Sequence, residues 1–313
     1  MMKILLLGRG GQVGWELQRS LAVLGELVAL DFDAASNPNG LCGDFADLAG
    51  LADTVQRVRP DVIVNSAAHT AVDKAESEPD FARTLNALAP GVLAEQANKI
   101  GAWLVHYSTD YVFDGSGSQP WIEDDAKGPL NVYGQTKLEG EQVVATCPRH
   151  LTLRTSWVYA ARGGNFAKTM LRLAGERASL SVIDDQFGAP TSAELLADVT
   201  AHALRAAMAR PELAGTYHCV AGGETSWFAY AQFVLERARA LGWALKAGPE
   251  QVQPVPTSSY PTPARRPLNS RLCTAKLQQA FGLQLPHWQV HAERLLQEIA
   301  PPSAPFAPSA KAP

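Results

Sequence analysis

Lys3–Leu7 (KILLL) runs directly into Gly8-Arg9-Gly10-Gly11-Gln12-Val13-Gly14, and a helical pattern continues from Gly14 to about Leu24. A buried strand that stops at a glycine turn and re-enters as a helix opens a right-handed βαβ unit on a parallel sheet. The glycines fall at Gly8, Gly11 and Gly14, a GxxGxxG spacing rather than the strict GxGxxG form. Backbone free of side chains there lets a pyrophosphate approach the helix N-terminus, where unpaired N–H groups and the helix dipole favour an anion. The strand before and the helix after lift the motif above a bare glycine-rich turn.

Further short apolar runs at Leu27–Asp31, Asp61–Asn65 and Trp103–Ser108 alternate with helical stretches around Leu51–Val58 and Leu88–Ile100. The alternation predicts an α/β fold, a Rossmann-type doubly wound parallel sheet. The second half is less regular. Leu151–Val158 reads as another sheet strand, and Leu180–Ile183 as a strand in a different environment. Ala193–Met208 is a long helix, and Thr216–Val220 is a strand able to return to the first sheet. Helices at Phe228–Leu241 and His287–Ile299 follow, separated by Pro254–Pro267, whose prolines leave only loop or extended chain. With 313 residues the chain exceeds one typical core. The expected division is a dinucleotide-binding unit over 1–155 with returning segments near 190–220, and a smaller, interleaved α+β lobe over 156–300. A disordered Pro-, Ala- and Ser-rich tail is expected over 301–313.

Composition narrows the function classes. The 27 Lys+Arg against 31 Asp+Glu argue against a chain-wide basic surface for nucleic acid. Cys42, Cys147, Cys219 and Cys273 are dispersed without a CxxC pair, which argues against a zinc ribbon or disulfide scaffold and fits the reducing cytoplasm. No run approaches a membrane span or a signal-peptide core.

Two residues speak to the cofactor. Asp31 ends the second strand, where an acid can bind adenosine ribose hydroxyls, which favours NADH. Arg9, a cation in the glycine loop, suits the 2′-phosphate of NADPH. The preference stays open on these grounds.

Ser108-Thr109-Asp110-Tyr111 follows the strand ending near Ser108, at the carboxyl edge where α/β sheets place ligands. Tyr133 and Lys137 are four residues apart at the start of a helical pattern, and so share one face. A lysine ammonium stabilises a phenolate, and a nearby hydroxyl can hold a carbonyl oxygen. Together they can deliver a proton to a carbonyl while a hydride attacks its carbon. Ser108 and Thr109 compete for the hydroxyl role, because adjacent strand residues point to opposite faces. Alone, YxxxK is a common surface pair; with the glycine loop and the strand-end hydroxyl it reads as a reductase constellation.

These residues resemble the extended short-chain dehydrogenase/reductase superfamily. Longer strings narrow the resemblance to the dTDP-4-dehydrorhamnose reductases. They are Asn65–Glu76, His106–Gly115, Pro129–Glu141, Leu153–Ala160, Asn165–Ala174, Asp184–Thr191 and Val255–Leu272, which together cover nearly all but the proline-rich tail. The resemblance implies reduction of the C4 ketone of dTDP-4-dehydro-L-rhamnose to dTDP-L-rhamnose by NADH or NADPH, for surface polysaccharide. It implies Tyr133 as proton donor, Lys137 as the group tuning it and holding the nicotinamide ribose, and Thr109 as tuning the tyrosine and touching the sugar. It places Gly8, Gly11, Gln12, Val13 and Gly14 along the pyrophosphate, and Asp31 on the adenosine ribose. Asp44 and Phe45 would flank the adenine, Ala68, His69 and Thr70 would line the groove, and Tyr107 would sit beneath the nicotinamide. Asp110 and Trp157 would contact substrate. The cations Lys168, Arg265 and Arg266 are candidates for the sugar-nucleotide diphosphate. Some members bind a divalent metal through glutamates and pair as homodimers, and Glu16, Glu194 and Glu298 fall at comparable positions, a carboxylate set suited to Mg²⁺. Plain structural roles remain for His69 in the core, Asp44 as a loop cap, Trp157 as a core aromatic and the glutamates as solvated charges. Two other functions share the fold: another nucleotide-sugar reductase or epimerase, and a non-catalytic regulatory subunit.

Overall fold

The computed structural model describes residues 1–301. The tail expected to be disordered lies, apart from Pro301, outside the described residues. Six strands form one sheet: β1 (Lys3–Leu7), β2 (Glu26–Leu30), β3 (Val62–Asn65), β4 (Trp103–Thr109), β5 (His150–Thr155) and β6 (Gly215–His218). Their order is β6-β5-β4-β3-β1-β2, and every pairing is parallel. Parallel strands covered on both faces are apolar along their length rather than alternately. Accordingly Ile4 to Leu7 and Val62 to Val64 are all fully buried.

Alternate residues feed different layers. Ile4, Leu6, Val62 and Val64 pack with Leu17 and Leu21 of α1 (Gln12–Ala22) on one face. Leu5, Leu7 and Ile63 pack with Leu51 and Val55 of α2 (Leu48–Val58) and with Leu93 and Ala97 of α3 (Ala89–Ile100) on the other. This is the doubly wound arrangement. The strand order reverses between β1 and β3, which opens a crevice beyond the carboxyl ends of those strands. The chain leaving β2 makes two short 3₁₀ turns, Ala34–Ser36 and Pro38–Gly40, and adds no strand outside it.

Later come α4 (Val132–Val144), α5 (Phe166–Glu176), α6 (Ala193–Ala209), α7 (Trp227–Ala240), α8 (Ala275–Phe281) and α9 (Trp288–Glu298). Three two-stranded ladders lie apart from the main sheet: Val158–Tyr159 with Thr191–Ser192, Phe187–Gly188 with Thr225–Ser226, and Leu180–Ile183 with Val252–Val255. The returning strand is β6, parallel to β5.

One expectation changes. The run Leu151–Val158 is not one strand. Trp157 adopts a left-handed φ of 50°, and the chain bends there and resumes in a different ladder. The extended chain expected in the proline-rich stretch is in part sheet, since Pro254 and Val255 pair with Val182 and Ile183. Proline is tolerated at the margin of such a small ladder. No helix of the described residues is long and apolar enough to cross a membrane.

Candidate active site

A cavity of about 910 Å³ opens over the carboxyl ends of β1, β3 and β4. The glycine loop forms one wall. Gly8 has φ of 86°, and a Cβ there would lie 2.8 Å from the Ala67 nitrogen. A Cβ on Gly14 would lie 2.0 Å from the Gly8 carbonyl oxygen, so α1 presses onto the loop. The N-cap of α1 is Gly11, which supplies no side-chain cap. The free N–H groups of the first turn are therefore left for an anion. These features fit the pyrophosphate of a dinucleotide. Asp31 lines the cavity and its carboxylate abuts Gly10. The Arg9 guanidinium instead donates to the carbonyls of Ala29 and Ser36, at 3.3 and 2.7 Å. Gly14→Ala should weaken NAD(P)H binding by roughly tenfold or more, about 1.4 kcal/mol. Titration of the cofactor against protein fluorescence checks this, and a wild-type dissociation constant would mean that the loop yields without losing its cradle.

The opposite wall carries the proton chemistry. Asn131 caps α4 by accepting from the Gly134 N–H at 2.8 Å, and its own amide donates to the Arg265 carbonyl at 2.7 Å. This fixes Tyr133, two residues from the cap, against Tyr111, whose ring meets it edge-on at 5.5 Å. Burial pushes the Tyr133 phenol up to about 12, while the Thr109 hydroxyl beside it pulls the other way and Asp110 adds to the rise. Thr109 donates to Asp110 Oδ1 at 3.0 Å and accepts from the Tyr111 N–H at 3.2 Å. Lys137 is almost wholly buried, and burial lowers it to about 8, with Glu141 opposing. Its ammonium donates to the Tyr107 carbonyl at 2.6 Å and faces His106 Nε2 at 3.4 Å. Burial keeps His106 far below the ordinary histidine range, so it is neutral, and Asn65 meets its other nitrogen at 3.0 Å.

Gly8, Gly11, Gln12, Val13, Asp31, Asp44, Phe45, Ala68, Thr70, Tyr107, Thr109, Asp110, Tyr133, Lys137 and Trp157 all line this one cavity. Several expectations need correction. His69 is not in the lining. It is buried behind it, with its backbone exchanging two hydrogen bonds with the Asn86 side chain and its ring against Phe81. Gly14 serves packing beneath the loop rather than the lining. Ser108 and Thr109 both line the cavity, but it is the Thr109 hydroxyl that acts on the phenol. The Lys137 ammonium is engaged by the Tyr107 carbonyl.

The three candidate diphosphate cations stand outside the lining. Arg266 forms a bidentate pair with Asp73 at 2.7 and 2.6 Å, and Lys168 donates to the Ala161 and Gly163 carbonyls. Arg265 is exposed. Besides Lys137, the cation in the lining is Arg162, which sequence reasoning missed. Its guanidinium lies 4.2 Å from the centre of the Trp15 ring and reaches toward the Gly10 carbonyl. The only local signal was the pair Gly163-Gly164 beside it. Trp227 was also missed; it lines the cavity and stacks on Trp157 at 3.6 Å.

Glu16, Glu194 and Glu298 do not form a ligand set. The charges of Glu194 and Glu298 add to burial in raising Glu16, so the three face one another. However, Glu194 is held by Arg294 at 3.0 Å, and Glu16 has Arg19 at 3.8 Å. Among the described residues no group of three or more His, Cys, Asp or Glu is arranged to hold a metal ion.

Comparison with known proteins follows the same lines. A family model described as the RmlD substrate binding domain matches residues 2–300. The dTDP-4-dehydrorhamnose reductase of Shigella flexneri is 60% identical over 299 residues, covering 95% of this chain and 98% of the relative. That of Burkholderia thailandensis is 50% identical, covering 92% and 96%. Among solved structures, dTDP-4-dehydrorhamnose reductase from Bacillus anthracis in complex with NADP superposes with a TM-score of 0.84 at 34% identity, covering 95% of this chain and all of that one. A Thermus thermophilus UDP-glucose 4-epimerase bound to NAD, at 19% identity and a TM-score of 0.75, shares the fold.

Proposed function

The chain belongs to the RmlD substrate binding domain family, and from that premise we propose that it reduces the C4 ketone of dTDP-4-dehydro-L-rhamnose to dTDP-L-rhamnose with NAD(P)H. The observation that carries this reading is the meeting of the glycine cradle, Thr109, Tyr133, Lys137 and Trp157 around one cavity. The relatives of the same length that bear the reductase name support the choice of substrate.

Bound NAD(P)H supplies the hydride. The chain's own part is to hold the sugar and to manage a proton. Tyr133 gives its phenolic proton to the ketone oxygen as that oxygen gains charge. A phenol held near 12 keeps its proton until then. The stacked indoles of Trp157 and Trp227 give the sugar nucleotide an apolar wall. The Bacillus anthracis relative was solved with NADP, while Asp31 favours free ribose hydroxyls, so both cofactors belong in the test. That test follows the loss of reduced-nicotinamide absorbance with each cofactor and enzymatically prepared substrate. Formation of dTDP-L-rhamnose is expected. Folded, cofactor-binding protein that leaves the substrate untouched would sink the reading and favour a different nucleotide sugar.

Lys137→Met should lower kcat by roughly 10²-fold and weaken NAD(P)H binding. Lys137 is a cation below about 8 and loses that charge above it, so the wild-type rate should decline through that range. The variant should lack that limb. An unchanged pH–rate profile would remove Lys137 from the proton chemistry.

A further inference from the structure

Asp110 is a buried acid with few partners at the wall of the cavity. Its side chain is 2% exposed. Oδ1 accepts from Thr109 at 3.0 Å, while Oδ2 is buried with no partner within hydrogen-bond distance, the Ser270 hydroxyl being the other side chain that acts on the carboxyl. An ionised carboxylate wants several donors, and leaving one oxygen dry and unpaired is costly. A neutral carboxyl asks for less. The Thr109 hydroxyl bonds this acid and also acts on the Tyr133 phenol, and it has one hydrogen to give and two acceptor positions. One acceptor position is taken by the Tyr111 N–H.

Two hydrogen-bond patterns are open to Asp110, Thr109 and Tyr133. With Asp110 ionised, Thr109 donates to Asp110 and accepts from Tyr111 N–H and the phenol. The phenolic proton then points away from the ketone. With Asp110 neutral, the acid donates to Thr109, Thr109 donates to the phenol oxygen, and the phenolic hydrogen is free to face the ketone. We propose that Asp110 is a positioning residue, whose protonation sets the direction of the Asp110–Thr109–Tyr133 chain and which hands Tyr133 its next proton through Thr109. The step balances. Tyr133 O–H breaks as the ketone oxygen gains its proton, the phenolate takes the Thr109 hydrogen, and Thr109 takes the carboxyl hydrogen. Asp110 is left as carboxylate until water reprotonates it when product leaves. The neutral form thus serves reduction, and the ionised form serves the reverse oxidation.

The surroundings suit a carboxyl that changes charge near neutrality. Burial pushes Asp110 up to about 7, against the Ser270 and Thr109 hydroxyls, which pull it down. The titratable groups it acts on are Tyr111 beside it and Tyr133 from α4. The nearby cation Arg266 acts on Tyr111 but is paired with Asp73. Asp110 is neutral below this value and ionised above it, so reduction should fall as pH rises through neutrality. This limb should appear in kcat and lie below that of Lys137.

The inference rests on the reductase reading, and the test separates the two. In the first arm, infrared difference spectra of the cofactor-free protein follow the protonated carboxyl band against pH. The band should fade through neutrality in wild type, be missing in Asp110→Asn, and persist to higher pH in Ser270→Ala. In the second arm, kcat and KM are measured against pH. Asparagine donates to Thr109 but has no proton to pass on, so Asp110→Asn should lose the lower limb in kcat, turn over more slowly in reduction, and lose reverse oxidation by roughly 10²-fold. Ser270→Ala should move that limb upward. A carboxyl already ionised well below neutrality overturns the inference. So does a lower limb that survives in Asp110→Asn, or a change confined to KM, which would mark a simple sugar contact. A wild-type protein whose carboxyl titrates as expected but which turns over no substrate instead sinks the reductase reading.

Discussion

Tyr133→Phe should lower kcat for ketone reduction by roughly 10²–10⁴-fold and leave the NAD(P)H dissociation constant near wild type. The substitution removes one oxygen and its proton from a ring otherwise held by packing. The edge-on contact with Tyr111 at 5.5 Å and the Asn131 cap of α4 both remain. The cradle at the glycine loop, on the other side of the cavity, is untouched. The loss should therefore fall on the chemical step, with KM for the sugar nucleotide changed little. Single-turnover rates under saturating cofactor read that step directly. If the variant reduced substrate within tenfold of wild type, the donor would have to be Thr109 or a water, and the hydrogen-bond chain proposed above would lose its terminus. The thermal midpoint is a useful control, since a phenol at a cavity wall should cost the fold little.

Much of this site is legible in the chain because its parts are local. A strand, a glycine turn and a helix are consecutive in sequence, and Lys3–Leu7, Gly8 and the helix from Gln12 stand where periodicity puts them. Tyr133 and Lys137 lie on one helix, four residues apart, so helical geometry alone brings them to the same cavity. What escaped is long-range. Nothing near Trp157 in sequence announces that it will bend the chain at a φ of 50° to stack on Trp227, seventy residues later. A β-rich run looks the same whether or not it bends. Arg162 reaches the glycine loop across the gap from β5 to α5, whereas Arg266 is taken up by Asp73. Charge type identified candidates for the anion, but pairing distributed them, and pairing depends on which loops the fold brings together. His69 shows the converse: its neighbours Ala68 and Thr70 line the cavity while it turns to the Asn86 side.

The same distinction separates residues that do the chemistry from those that hold α4 in place. Glu141 lies one turn beyond Lys137 on the buried face of that helix, 6% exposed. It meets Arg154 of β5 in a fork-to-fork pair at 2.8 and 2.7 Å. The remaining guanidinium nitrogen donates to the Glu123 carbonyl at 3.0 Å, and the group lies 5.3 Å from the centre of the Phe113 ring. The backbone N–H of His218 on β6 donates to Glu123 at 2.9 Å, so one charge network ties the catalytic helix to two sheet strands. Arg154→Met should destabilise the fold by about 3–5 kcal/mol, because it strands a buried carboxylate that the sheet and helix cannot solvate. The double variant Arg154→Met with Glu141→Leu should recover most of that loss, since an apolar pair of similar volume is often as stable as a buried ion pair. Urea unfolding midpoints with matched slopes measure both. The single variant should lose activity as it loses structure. The double variant should fold but still turn over more slowly, because the Glu141 charge raises the Lys137 pKa. Its removal moves the alkaline limb of kcat to lower pH. A single variant that lost less than about 1 kcal/mol would show that water reaches Glu141 and that the helix is held by packing alone.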